Sequence, residues 1–174
     1  MAIKPLTIGG VTVLGVGCVL HIVGLATHAW LAADGGSLGF WEVCPDEGPC
    51  ISFKEDGKPD WFKASEALAL LGMIFGGMAL LLAGVLVVMN LMGKEPSRGL
   101  GVSTLLLSVV SFVTVIICVI IFGAKYRDFF SEADFHFGYS FGLSIAGAAL
   151  ILLGGIGTSV SSLGLSSASR YERM

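Results

Sequence analysis

Four stretches of this 174-residue chain, residues 6–29, 67–93, 100–124 and 135–164, contain no lysine, arginine, aspartate or glutamate. As helices they are long enough to cross a bilayer: even the shortest, at 24 residues, spans roughly 36 Å against a hydrocarbon core of about 30 Å. Their apolar residues run continuously and do not alternate, which excludes the strands of a closed barrel. Charged residues make up 13% of the chain, about half the usual share of a soluble domain, and they gather between the runs. The expected class is an all-α membrane protein, a bundle of four transmembrane helices forming a single domain over residues 1–174. The first run is too long for the apolar core of a signal peptide, and no small-residue cleavage site follows it, so it reads as the first span.

The runs leave loops 30–66 and 125–137 on one side of the membrane. The termini and the short loop near residues 94–99 fall on the other. Lysine and arginine do not orient the chain. Lys4, Lys94, Arg98, Arg170 and Arg173 on the terminal side are matched by Lys54, Lys58, Lys63, Lys125 and Arg127. The cysteines decide instead. Cys44 and Cys50 are the two outside the spans, and disulfides persist in oxidising compartments. Both termini are therefore expected in the cytoplasm, and the two larger loops outside. Trp30, Trp41, Trp61, Phe62, Tyr126, Phe129, Phe130, Phe135, Phe137 and Tyr139 all fall at the outer ends of spans, where amphipathic rings mark an interface. The formal charge of −3, with no basic stripe, excludes nucleic acid as a partner.

The first outer loop carries the densest pattern. Cys44 and Cys50 close a ring through Pro45, Gly48 and Pro49, which are turn formers. Leu38 to Val43 and Ile51 to Phe53 read as strands on either side. The expected structure is a disulfide-pinned hairpin, with Trp30 and Trp41 supplying its apolar underside. A redox pair would favour a C-x-x-C spacing; here the spacing is C-x5-C, with no second pair outside the spans.

Within the spans, three features allow a structural or a functional reading. Small residues recur as Gly72 and Gly76 with Gly77 and Gly84, as Gly138, Gly142 and Ala146, and as Gly147 and Gly154. Such faces drive close helix packing in lipid, either within the bundle or against a partner. His21 and His28 lie seven apart on one helix face; a hydroxyl on a neighbouring span would satisfy His21. No histidine or cysteine stands at a metal-ligand spacing, and no cofactor is expected. Glu66, opening the second span, suits either a pore mouth or the helix N-terminus, where the dipole favours a carboxylate.

Trp30, then Gly39-Phe40-Trp41, then Cys44 and Cys50, set in a four-span frame, resemble the Trp … Gly-Leu-Trp … Cys … Cys signature of the claudin superfamily. That group includes claudins, peripheral myelin and epithelial membrane proteins, the lens intrinsic membrane protein and the gamma subunits of calcium channels. Phe40 replaces the usual leucine. The resemblance implies a left-handed four-helix bundle carrying a small extracellular antiparallel sheet, with the disulfide inside it, and no enzymatic activity. The short cysteine ring resembles the lens and myelin branches, and Phe137-Gly138-Tyr139-Ser140-Phe141 is similar to myelin, epithelial and gamma members. Arg127-Asp128-Phe129-Phe130 and the Gly/Ala-rich fourth span are similar to claudins. The tail ends Tyr171-Glu172-Arg173-Met174, without the terminal Tyr-Val by which many claudins bind scaffolds.

Two functions follow from the resemblance. One is a plasma-membrane protein of cell–cell contacts, assembling with itself in cis and in trans for adhesion, barrier or paracellular ion permeability. Phe129, Phe130 and Phe135 would form its contact loop. The first loop holds seven carboxylates against three lysines before Glu66, so a path lined by it would favour cations, with Glu47, Asp56 and Asp60 as candidate selectivity residues. The other function is an auxiliary subunit of a channel or receptor in the same bilayer.

Overall fold

The computed structural model describes residues 5–54, 57–94, 97–129 and 135–171. Four helices, α1 (Pro5–Ala26), α2 (Asp60–Leu91), α3 (Arg98–Phe129) and α4 (Tyr139–Tyr171), form the bundle. Each contains a stretch long and apolar enough to cross a membrane. Their outward faces are as apolar as their inward ones: Leu81 is 72% exposed and Ile120 62%. A helix that is hydrophobic all round needs lipid on its open side.

α1 packs most extensively on α4, and α2 on α3. The α1–α4 seam follows from glycine spacing. Gly10, Gly17 and Gly24 recur every seven residues on α1, and Gly147 and Gly154 on α4, in line with Ser140 and Ser161. A seven-residue period keeps one face turned to its partner in a left-handed supercoil. A Cβ at Gly17 would lie 2.7 Å from the Gly147 carbonyl oxygen, and one at Gly147 would lie 2.7 Å from that of Gly17. Only glycine permits this approach, and in lipid, where no hydrophobic force draws helices together, close packing supplies the attraction. Thr7 and Ser161 close the seam at the end away from the sheet, their hydroxyls 2.5 Å apart.

At the opposite end lies a five-stranded antiparallel sheet: β1 (Leu31–Ala33), β2 (Gly36–Leu38), β3 (Glu42–Pro45), β4 (Ile51–Ser52) and β5 (His136–Phe137), in the order β4-β3-β2-β1-β5. Gly35 makes the β1–β2 turn at φ 116°, a conformation open to glycine. Residues 38–43 are not the single strand their sequence suggests. The chain reverses at Gly39-Phe40-Trp41, and the Gly39 N–H donates to the Glu42 carbonyl at 2.9 Å. Gly39 lies so close to the end of α1 that a Cβ there would be 2.6 Å from His28 Cα. Phe40, within the turn, is fully buried in the core.

The charge-free runs and the helices also differ in extent. α1 stops at Ala26, and residues 27–29 lead into the sheet. α3 continues past residue 124 to Phe129. The last run begins as strand β5, paired to β1 through Leu31–Phe137 and Ala32–His136. α4 starts only at Tyr139, after Gly138, whose N–H donates to the Trp30 carbonyl at 3.0 Å.

Candidate functional site

The sequence signature gathers at the junction of sheet and bundle. A helix ends with carbonyls that lack intrahelical partners. At the end of α1 two indoles supply donors: Trp30 Nε1–H to the Gly24 oxygen and Trp41 Nε1–H to the Leu25 oxygen, both at 2.8 Å. The Trp30 backbone donates to Leu38 and accepts from Gly138, each at 3.0 Å. One residue thus joins α1, β2 and the approach to α4. The start of α4 is fixed similarly. Ser140 Oγ accepts the Ala29 N–H at 3.1 Å and bonds to Thr27 Oγ1 at 2.7 Å.

The rings of Trp30 and Phe40 are fully buried, their centroids 4.3 Å apart. Each remaining helix brings one aromatic to them. Phe122 of α3 lies 5.2 Å and Phe141 of α4 5.8 Å from Trp30; Phe62 of α2 lies 5.4 Å from Phe40. The geometries are tilted or edge-on, the arrangements that ring quadrupoles prefer. The three signature positions therefore do different things. Gly39 permits contact with α1, Phe40 fills the core, and Trp41, 38% exposed, caps α1 from the rim.

This placement corrects several expectations. Trp30, Phe62 and Tyr126 are core residues, not interfacial anchors. An aromatic at the end of a span looks the same in sequence whether it turns inward or toward lipid. Phe135, expected as an exposed contact residue, is half-buried and packed against this core. Phe129 closes α3; its side chain, and all of Phe130 and Asp56, fall outside the described residues. Glu66 is the seventh residue of α2, past the first turn, where Asp60 stands instead. Its Oε2 accepts a hydrogen bond from Lys58 Nζ at 2.8 Å, with the lysine side chain only 2% exposed. The ammonium also lies 5.7 Å from the Trp41 ring centre. Sequence reasoning missed Lys58, Phe122 and Ser140. Ser140 stands inside the Phe137–Phe141 motif and Lys58 in the charge count, but the role of each residue shows only through a partner on another element.

His21 meets a backbone group in place of the expected hydroxyl. Its Nε2 lies 3.1 Å from the Ala69 carbonyl oxygen; a carbonyl only accepts, so the ring proton is on Nε2. Gly72 and Gly76 face into the bundle, as do Gly147 and Gly154, whereas a Cβ on Gly77, Gly84 or Gly142 would meet nothing within 4 Å. Gly142 and Ala146 are exposed, so they form no internal ridge with Gly138.

Cys44 of β3 and Cys50 form the disulfide. In the loop-entropy treatment a ring of this size stabilises the fold by about 2.4 kcal/mol. Glu42 lies beside the two sulfurs and completes the one His/Cys/Asp/Glu cluster of metal-site dimensions among the described residues; the disulfide consumes both sulfurs. Glu47 is exposed within the cysteine ring, and Asp60 is exposed in the first turn of α2, so the structure sets these two candidate residues on separate elements.

A four-span bundle whose disulfide-pinned sheet is clamped to all four helices through Trp30 and a Gly-Phe-Trp turn defines a tetraspan membrane protein with a mounted sheet. The sequence matches the PMP-22/EMP/MP20/Claudin family over residues 4–157, and the chain belongs to that family. Comparison with individual curated proteins gives no match.

Proposed function

We propose that this chain is a non-enzymatic, multi-pass plasma-membrane protein of cell–cell contacts, with both termini cytoplasmic and the sheet outside. Copies assemble in cis and in trans through loops 30–66 and 125–137, giving adhesion, a barrier or a paracellular ion path. One observation carries this reading: a sheet fixed to all four helices has β4 and β5 as its outer strands, neither paired on its far side among the described residues, with Ile51 of β4 65% exposed and Phe137 of β5 43% exposed. Edge strands with open backbone groups are templates for pairing with another chain. The ion pair sharpens the charge argument. Glu66 neutralises Lys58, so only Lys54 and Lys63 offset the seven carboxylates of the first loop, and a path along it favours cations through Glu47, Asp56 and Asp60.

The test is to mix junction-free cells that express the protein with cells that do not. Enrichment only at borders where both cells express it supports assembly in trans; uniform surface staining at every border contradicts it.

A specific observation also favours the second reading, an auxiliary subunit of a channel or receptor. Gly77 and Gly84 lie seven apart on the lipid face of α2, open to close approach by another helix. Gentle solubilisation followed by pulldown separates the two: a stoichiometric channel partner supports the auxiliary role, and self-assemblies alone support the first.

A further inference from the structure

Between the sheet and the first turn of α2 lies a cavity of about 410 Å³ to which the contact function assigns nothing. Leu38 and Val43 of the sheet, Trp61 and Phe62 of α2, and Phe53 and Phe135 line it. The size is that of a small-molecule site, and such sites are mostly apolar with few polar groups. The polar groups along this lining are largely engaged. Lys58 is bonded to Glu66 at 2.8 Å, and the Ser37 hydroxyl lies 2.7 Å from His28 Nδ1. Asp34, exposed on the β1–β2 turn, leaves the rim acidic.

We propose that this cavity holds one acyl chain of a phospholipid from the leaflet at the sheet end of the bundle. The position names the source. Trp61 and Phe62 are the second and third residues of a membrane-spanning helix and precede its charge-free run from residue 67, so this part of the lining lies at headgroup level, where the acyl chains of the adjoining leaflet are the nearest aliphatic groups and a dissolved apolar molecule is scarce. The charges name the part recognised. With Lys58 committed to Glu66 and Asp34 on the rim, a phosphate meets no cation there, whereas an aliphatic chain supplies the dispersion contacts that open apolar walls lack. Occupancy by lipid requires neither assembly at contacts nor a channel partner.

The test uses the full chain in phosphatidylcholine nanodiscs doped with phosphatidylcholine carrying a diazirine at the end of one acyl chain. After illumination, adducts are mapped by mass spectrometry. Adducts on the Leu38–Val43 and Phe53 segments are expected, since Leu38, Val43 and Phe53 line the cavity. Ala33→Trp, which fills the cavity from β1, should lower sheet labelling several-fold and leave the lipid-facing segment around Leu81 unchanged. Val43→Phe fills it from β3 and serves if Ala33→Trp loses the Cys44–Cys50 bond. A wild-type sheet without adducts overturns the proposal, as do adducts that persist in the filled variants.

Discussion

The Phe40 ring lies 4.3 Å from that of Trp30, both without solvent exposure, directly above the end of α1. Around this pair the four helices and the sheet become one unit. Phe40→Ala should lower stability by about 3–5 kcal/mol, read as a fall in thermal midpoint in detergent and as reduced delivery to the cell surface. Phe40→Leu, which restores the residue usual in the resembling signature, should cost under about 1.5 kcal/mol. Equal loss in both variants would contradict a packing role for the ring.

The Lys58–Glu66 pair predicts a non-additive result. Removing one partner from a buried pair leaves the other charge uncompensated, at a cost of about 3–5 kcal/mol, whereas replacing both by apolar residues is often neutral. Lys58→Met and Glu66→Leu should each destabilise strongly, and the double variant should recover most of the loss in the same thermal assay. Additive losses would show that the pair is not coupled.

Gly17 and Gly77 should respond in opposite directions. A Cβ at Gly17 would lie 2.7 Å from both the Gly147 oxygen and the Ile151 nitrogen, which are backbone atoms that cannot swing aside. Gly17→Ala should therefore force α1 and α4 apart, a loss of at least about 1–3 kcal/mol. Gly77→Ala meets open space and should gain about 0.5–1 kcal/mol from helix propensity. Unfolding of the purified variants compares them directly.

If copies line a paracellular path, replacing Glu47, Asp56 and Asp60 by their amides should abolish or reverse its cation preference. Dilution potentials across a monolayer expressing each form read this out. An unchanged sodium-to-chloride permeability ratio would assign selectivity elsewhere.

The spans were legible because a bilayer demands long charge-free runs, and the disulfide because two cysteines stood alone in an acidic loop. The turn at Gly39-Phe40-Trp41 was not legible, since apolar residues on both sides of it read as one continuous strand. The Gly10-Gly17-Gly24 face passed unnoticed among 25 glycines; only its partners Gly147 and Gly154 reveal its period as a seam. Lys58 and Glu66 fall on opposite sides of a loop–helix boundary, so the bond exists only once α2 begins at Asp60. The burial of Phe135 depends on strand β5, a two-residue element held to β1 by pairing that no local pattern announces.

The central claim is that the mounted sheet joins copies of this chain. Freeze-fracture imaging of contacts between junction-free cells expressing the wild type tests it most directly, with Ile51→Asp as the matched variant altered at the exposed sheet edge. Continuous intramembrane strands for the wild type, lost in Ile51→Asp at equal surface level, are the predicted result. Smooth contacts despite abundant wild-type protein at the surface would contradict the claim.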